Sequence, residues 1–169
     1  GVTCTERDPH AEKKIMDMIR YPERLTYAGR LDKDSEGLIL LTNDGDLINA
    51  MMLGANRHEK EYIVKTDREI TPDFLQKMAK GIYLKDLDIT TRECEIEQIG
   101  KFTFRIVLTQ GVNRQIRRMC EACGYRVKAL KRIRIMNILL GNLKPGKWRK
   151  VTGEELEQLQ RDTGMLNRN

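Results

Sequence analysis

A chain of 169 residues that is 40% hydrophobic and 33% charged is long enough for one well-cored domain or two small lobes sharing a cleft, and too apolar to be disordered. No apolar run approaches the ~20 residues that span a bilayer, and the start "GVTCTERDPH" has neither a basic leader nor an apolar signal core, so a soluble cytoplasmic protein with no membrane partner is expected. The net charge of +6 is unevenly spread: residues 1–100 carry 15 Lys+Arg against 20 Asp+Glu, whereas residues 101–150 carry 14 against one, Glu121, and that +13 segment points to a nucleic acid.

In chain order, Asp8 and Pro9 read as a helix cap and first turn, with Ala11, Ile15, Met18 and Ile19 on one helical stripe. A short strand near "LTYAG" leads into an acidic loop, and the apolar run "GLILLT" reads as a buried strand. "NDGDLINAMML" turns and opens a helix. "KEYIVKT" alternates as a strand with Tyr62 and Val64 on one face. "TPDFLQKMAKG" predicts a helix capped by Thr71, with Pro72 in its first turn and Gly81 at its stop.

"TTRECEIEQIG" and "FTFRIVLT" read as two strands pairing around Gly100 and Lys101, with Phe102, Phe104, Ile106 and Leu108 on one face. A helix is predicted from Asn113 to the stop at Gly124, with Ile116, Met119, Cys120 and Cys123 inward. "RVKALKRIRIMNILL" alternates in its second half, placing Ile133 and Ile135 opposite Arg132 and Arg134. After the "KPGK" turn, "WRKV" reads as a strand, and Thr152 with Glu155 forms a capping box for the last helix. The mixture of helices and hairpin-spaced strands gives an α+β class with a largely antiparallel mixed β-sheet and flanking helices.

Two metal readings can be weighed on spacing. "DKDSEGLILLTN", from Asp32 to Asn43, imitates a calcium loop but has Asn43 where a bidentate Glu belongs, and no helix precedes it. Acids at alternate positions of an extended segment, Asp32, Asp34 and Glu36, would instead all face water. Of the four cysteines only Cys120 and Cys123 form a CxxC pair. Without a second pair or suitably spaced histidines they read as buried thiols beside Met119, and no metal is expected.

Three separated pieces carry the chemistry: "GRLD" in a loop, "KEY" on a strand and "NRQIRR" on a helix. Together with "GLILLTNDGDL", "HEKEY", "GVNRQIRRM" and "GKWRKVT", they resemble the RNA pseudouridine synthases of the RsuA-like branch over nearly the whole chain. "RIRIMNI" followed by "GKWRKVT" looks most like the RluF-type enzymes that modify large-subunit rRNA. The resemblance implies a pseudouridine synthase fold with a central catalytic cleft, an isomerase acting on ribosomal RNA without a cofactor, and a monomer. It also implies that the small N-terminal RNA-binding domain usual in this branch is absent from residues 1–169, all of which would be catalytic domain.

By the same resemblance Asp32 is the catalytic carboxylate, Tyr62 stacks on the target base and offers its hydroxyl for proton transfer, and Arg117 is the basic partner of Asp32. Arg30 could fill the stack vacated by the extracted uridine, and Arg114 and Arg118 would hold phosphates. Lys128, Lys131, Arg132 and Arg134 would extend a phosphate track from the cleft, while Glu121, four residues after Arg117, would compete for it. Alternatives from other classes are a non-catalytic RNA-binding or ribosome-assembly factor and a metal-dependent nuclease, the latter weakened by the lack of a second carboxylate cluster.

Overall fold

The computed structural model describes residues 25–53 and 57–165. The helix expected at residues 8–19, Cys4 and His10 lie outside them. In chain order the described elements are β1 (Thr26–Tyr27), β2 (Glu36–Gly37), β3 (Leu41–Thr42), α1 (Gly45–Met52), β4 (Lys60–Thr66), α2 (Pro72–Lys80) and β5 (Tyr83–Leu84), followed by β6 (Ile89–Thr90), β7 (Glu95–Gly100), β8 (Thr103–Leu108), α3 (Gln115–Ala122), β9 (Val127–Ile135), β10 (Ile138–Leu139) and α4 (Gly153–Asp162).

The six-stranded sheet is built around β4, whose alternating sequence lets it pair on both edges: with β8 on one side and β9 on the other, both antiparallel. β7 extends the sheet beyond β8 and β10 beyond β9, while β2 joins β9 in parallel, so the sheet is mixed and largely antiparallel and the chain is α+β. Val64, Phe104 and Ile106 on adjacent strands are each 0% exposed, and α2 and α3 cover them through Phe74, Met78, Ile116, Met119 and Cys120. Leu38, Leu40, Leu47, Ile135, Ile138 and Leu159 form a second apolar cluster at the other end of β9.

Local signals explain several boundaries. The Thr71 hydroxyl accepts the Phe74 N–H, Pro72 occupies the first turn, and Gly81 closes α2 with a positive φ that a side chain would strain. The β7–β8 pair forms as its two alternating runs suggest. Cys120 is buried and its thiol is pushed up to about 12, and burial also raises the half-buried Cys123, so both hold their protons at neutral pH.

Four expectations are corrected. "GLILLT" is not one strand: only Glu36–Gly37 and Leu41–Thr42 pair, and the buried residues between them bridge to different partners. Gly37 sits so close to β9 that an added Cβ would lie 2.2 Å from the Arg132 carbonyl oxygen. Residues 148–151 form no strand. The capping box does not form: the Thr152 side chain makes no cap bond, and the Glu155 carboxylate is held by Arg149 at 2.6 and 2.9 Å instead of reaching back. Finally, α3 starts at Gln115 rather than Asn113, since Arg114 adopts a left-handed conformation (φ 49°, ψ 37°).

Candidate active site

A cleft of about 230 Å³ opens between the "GRLD" segment and the start of α3, with β4 and β9 beneath it. It is smaller than the roughly 300–1,000 Å³ of drug-sized ligand sites. Asp32, Tyr62, Arg30, Arg114 and Arg117 all line it, so residues far apart in the chain share one wall system. No described helix is long and apolar enough to cross a membrane.

The rim is built on a turn. The Ser35 N–H donates to the Asp32 carbonyl at 3.0 Å, and buried Ser35 anchors the turn from below. Asp32, Asp34 and Glu36 therefore do not lie on one extended, water-facing edge. Asp34 turns to α3, where Arg114 grips it with both terminal nitrogens, at 3.1 and 2.9 Å. Arg117 donates to the Asp34 backbone carbonyl at 2.8 Å, and its Nε lies 3.5 Å from the Asp34 carboxylate without hydrogen-bonding geometry. The Arg114 hydrogen bonds hold the Asp34 carboxyl below its ordinary value against partial burial, helped by the charges of Arg117 and Arg114.

Asp32 itself is half-exposed, with its Oδ2 3.9 Å from Arg114 Nη1. The expected pairing is thereby corrected: the guanidinium at ion-pair distance from Asp32 belongs to Arg114, while Arg117 engages Asp34. Glu121 makes no ion pair with Arg117, whose side chain is turned toward the acidic turn instead. Arg114 is thus an internal partner of two acids rather than an unengaged phosphate contact.

The floor is different in character. Arg132 is 2% exposed; its Nε donates to the Leu38 carbonyl at 2.9 Å and its Nη1 to the Arg30 carbonyl at 3.4 Å. Nη2 is buried without a hydrogen-bond partner. Burial lowers the pKa of Arg132 from its ordinary value, with Tyr62 and Asp32 acting in the opposite direction, although a guanidinium remains charged throughout the physiological range. Lys60, on the same strand as Tyr62 and two residues before it, also lines the cleft, and burial followed by the like charge of Arg132 lowers its pKa. Gln115 lines it too, 5% exposed, with its Oε1 unpartnered.

Arg132 is buried because β9 carries a bulge. Glu61 pairs with Arg134 but Tyr62 pairs with Arg132, so Ile133 is skipped and the alternation changes phase. Arg132 and Ile135 are both buried as a result. The phosphate track expected from Arg132 and Arg134 is corrected accordingly: Arg132 is interior, and Arg134 is bound to Glu61 at 2.8 Å and Glu59 at 3.4 Å. Arg118 bonds to Asn113 and does not line the cleft. Lys128 and Lys131 remain exposed on β9, and Arg30 is exposed at the cleft mouth.

Lys60, Asp34 and Gln115 were not among the residues expected at the site. For Lys60 a signal existed, because alternation places it on the same side of the strand as Tyr62.

The profile of the RNA pseudouridylate synthase family matches residues 1–122. The chain is 46% identical over 159 residues to the dual-specificity RNA pseudouridine synthase RluF of Escherichia coli strain K12, covering 94% of this chain and 54% of that protein. It is 34% identical over 165 residues to an uncharacterized RNA pseudouridine synthase of Aquifex aeolicus, covering 95% of this chain and 68% of the relative. The chain thus spans about half the length of the RluF proteins it matches. A crystal structure of a pseudouridylate synthase superposes with a TM-score of 0.82 at 30% identity, over 86% of this chain and 64% of that one. The archaeal box H/ACA Nop10–Cbf5 complex, at 16% identity and a TM-score of 0.55 over 82% of this chain and 48% of that one, shares the fold.

Proposed function

Because this chain belongs to the RNA pseudouridylate synthase family, we propose that it isomerises uridine to pseudouridine in ribosomal RNA, with Asp32 as the catalytic carboxylate. The observation that carries the reading is the meeting of Asp32 and Tyr62 in one small cleft, with Arg114 3.9 Å from the Asp32 carboxylate. A carboxylate suits the reaction because it can attack the sugar or base, or stabilise an electron-poor sugar, and then leave again.

The bond from ribose C1′ to N1 breaks, the base turns, and C1′ is rejoined through C5; the C5 proton is lost and N1 gains one. Oxidation state and composition do not change, so the balance calls for no cofactor. Tyr62 supplies an aromatic face for the displaced uracil and a hydroxyl for proton transfer. Arg114 and Arg117 fix the acidic turn, so Arg117 serves Asp32 through Asp34. Arg30 at the mouth, with Lys128 and Lys131 on the neighbouring strand surface, meets the RNA backbone.

The likeness of "RIRIMNI" and "GKWRKVT" to RluF-type enzymes favours large-subunit (23S) rRNA in the cytoplasm as the substrate. Mapping pseudouridine in rRNA from cells with and without the gene tests this: one or a few large-subunit positions should lose the modification. An unchanged map would refute the rRNA assignment.

A further inference from the structure

The floor of the cleft holds two cations and no acid. Arg132 Nη2 is a buried donor without a partner, and Lys60 is half-buried beside it. Neither makes an ion pair with a described carboxylate. The contrast with other partly buried arginines is informative: Arg105, Arg134 and Arg149 each have a Glu carboxylate within 2.8 Å. Tyr62 and Asp32 offset part of the burial of Arg132, but a buried charge with no acid at ion-pair distance is costly, and two of like sign side by side are more so. The bonds from Arg132 to the Leu38 and Arg30 carbonyls account for Nε and Nη1 but not for Nη2, and both Arg132 and Lys60 line the cleft.

We propose that Lys60 and Arg132 grip the carbonyl oxygens of the extruded uracil and carry its negative charge while the base is detached from the sugar. The inference rests on the pseudouridine reading of the same cleft and adds the groups that handle the leaving base. When the C1′–N1 bond breaks, its electron pair stays with the ring and spreads over N1, O2 and O4, while the electron-poor sugar carbon faces Asp32. The pair is returned when C5 bonds to C1′, C5 gives up its proton and N1 takes one, and the floor ends as it began. Preorganised donors aimed at charge that develops during the reaction are a major source of catalysis.

The same floor selects the base. Uracil offers only carbonyl acceptors at the 2 and 4 positions, whereas cytosine replaces O4 by an amino donor, which a cation repels. A polar site that loses its partner in this way discriminates strongly. The lowered pKa of Lys60 fits a group held ready for an anion, because an ordinary solvated lysine would have no such burden.

Equilibrium binding of two free bases to the intact chain separates this inference from the activity. Uracil is neutral at neutral pH, and 5-nitrouracil is an acidic analogue that is an anion there. The wild-type chain should bind the anion at least about tenfold more tightly, as expected for charge-assisted contacts. Lys60→Met should lose most of that preference, and Lys60→Arg, which keeps the charge, should retain it; thermal unfolding of each variant reports whether it is folded. Equal binding of the two bases by the wild-type chain, or binding of neither, would overturn the cationic floor, whatever the chain does to RNA. A retained anion preference in a protein that fails to convert uridine would uphold the floor and strike the activity.

Discussion

At the rim of the cleft Arg114 and Arg117 are both fastened to Asp34, whereas at the floor Lys60 and Arg132 have no acid to hold, although an unpaired charge costs most there. The rim is partly exposed, its charges are neutralised within the protein, and it organises the turn that presents Asp32. The floor is cationic, with Arg132 buried and Lys60 half-buried, and Arg132 Nη2 has no partner there. The difference teaches that the two ends of one cleft are built differently; on the proposed function, one aims a nucleophile or stabiliser and the other receives the base.

The sharpest way to break this division is at its centre. Asp32→Asn keeps the size of the side chain but removes its charge and nucleophilicity, so turnover should fall by at least about a thousandfold while RNA binding and thermal unfolding change little. Substantial activity in that variant would move the chemistry away from the turn. Next in size, Tyr62→Phe keeps the stacking face and loses the proton. A drop in turnover of about a hundredfold with RNA affinity preserved is the expected result, measured by single-turnover kinetics.

The floor should also reveal itself by pH. Burial places the folded-state pKa of Lys60 below its ordinary 10.5, so the required charged form is complete below the folded value and is lost as pH rises through it. The alkaline limb of turnover should therefore begin below 10.5, and Lys60→Arg should move it upward. Because the unfolded chain holds that proton more tightly, the same group makes stability rise with pH across this window. An alkaline limb unmoved by Lys60→Arg would assign it to another group.

At the rim the expected effect is smaller. Asp34→Asn removes the bidentate grip on Arg114 without touching Asp32, and turnover should fall roughly tenfold, most of it in kcat. Since Asp34 titrates below its ordinary 3.8, its contribution is present above the unfolded value and lost only as pH falls through the folded one. It should thus leave the neutral range flat. The smallest effect belongs to the outer surface: Lys128→Ala and Lys131→Ala should each reduce the log–log salt slope of RNA binding by about 0.7–1 and leave single-turnover rates on saturating RNA unchanged.

How far the sequence reveals this architecture differs between its parts. The α2 helix is legible because its start and stop signals are local: Thr71, Pro72 and Gly81 act within their own turns. The β7–β8 hairpin is legible from the alternation of Phe104 and Ile106 in β8 and the turn at Gly100 and Lys101. The interior position of Arg132 is not, because it depends on a one-residue bulge against β4 that reverses the facing of β9, and nothing in "LKRIRI" marks where the partner strand skips. Likewise the +13 of residues 101–150 overstates the exposed charge, since Arg105, Arg134 and Arg149 spend theirs on acids. The grouping of "GRLD", "KEY" and "NRQIRR" is visible from resemblance, but the exchange of partners between Asp32 and Asp34 is set by the turn at Ser35 and the left-handed backbone of Arg114.

The central claim is that this cleft rearranges uridine rather than merely holding RNA, and release of tritium from RNA carrying C5-labelled uridine tests it most directly. With the wild-type chain, label should appear in water in step with pseudouridine in the digested RNA. RNA that binds tightly yet keeps all of its label, and yields no pseudouridine, would contradict the account and leave an RNA-binding factor in its place.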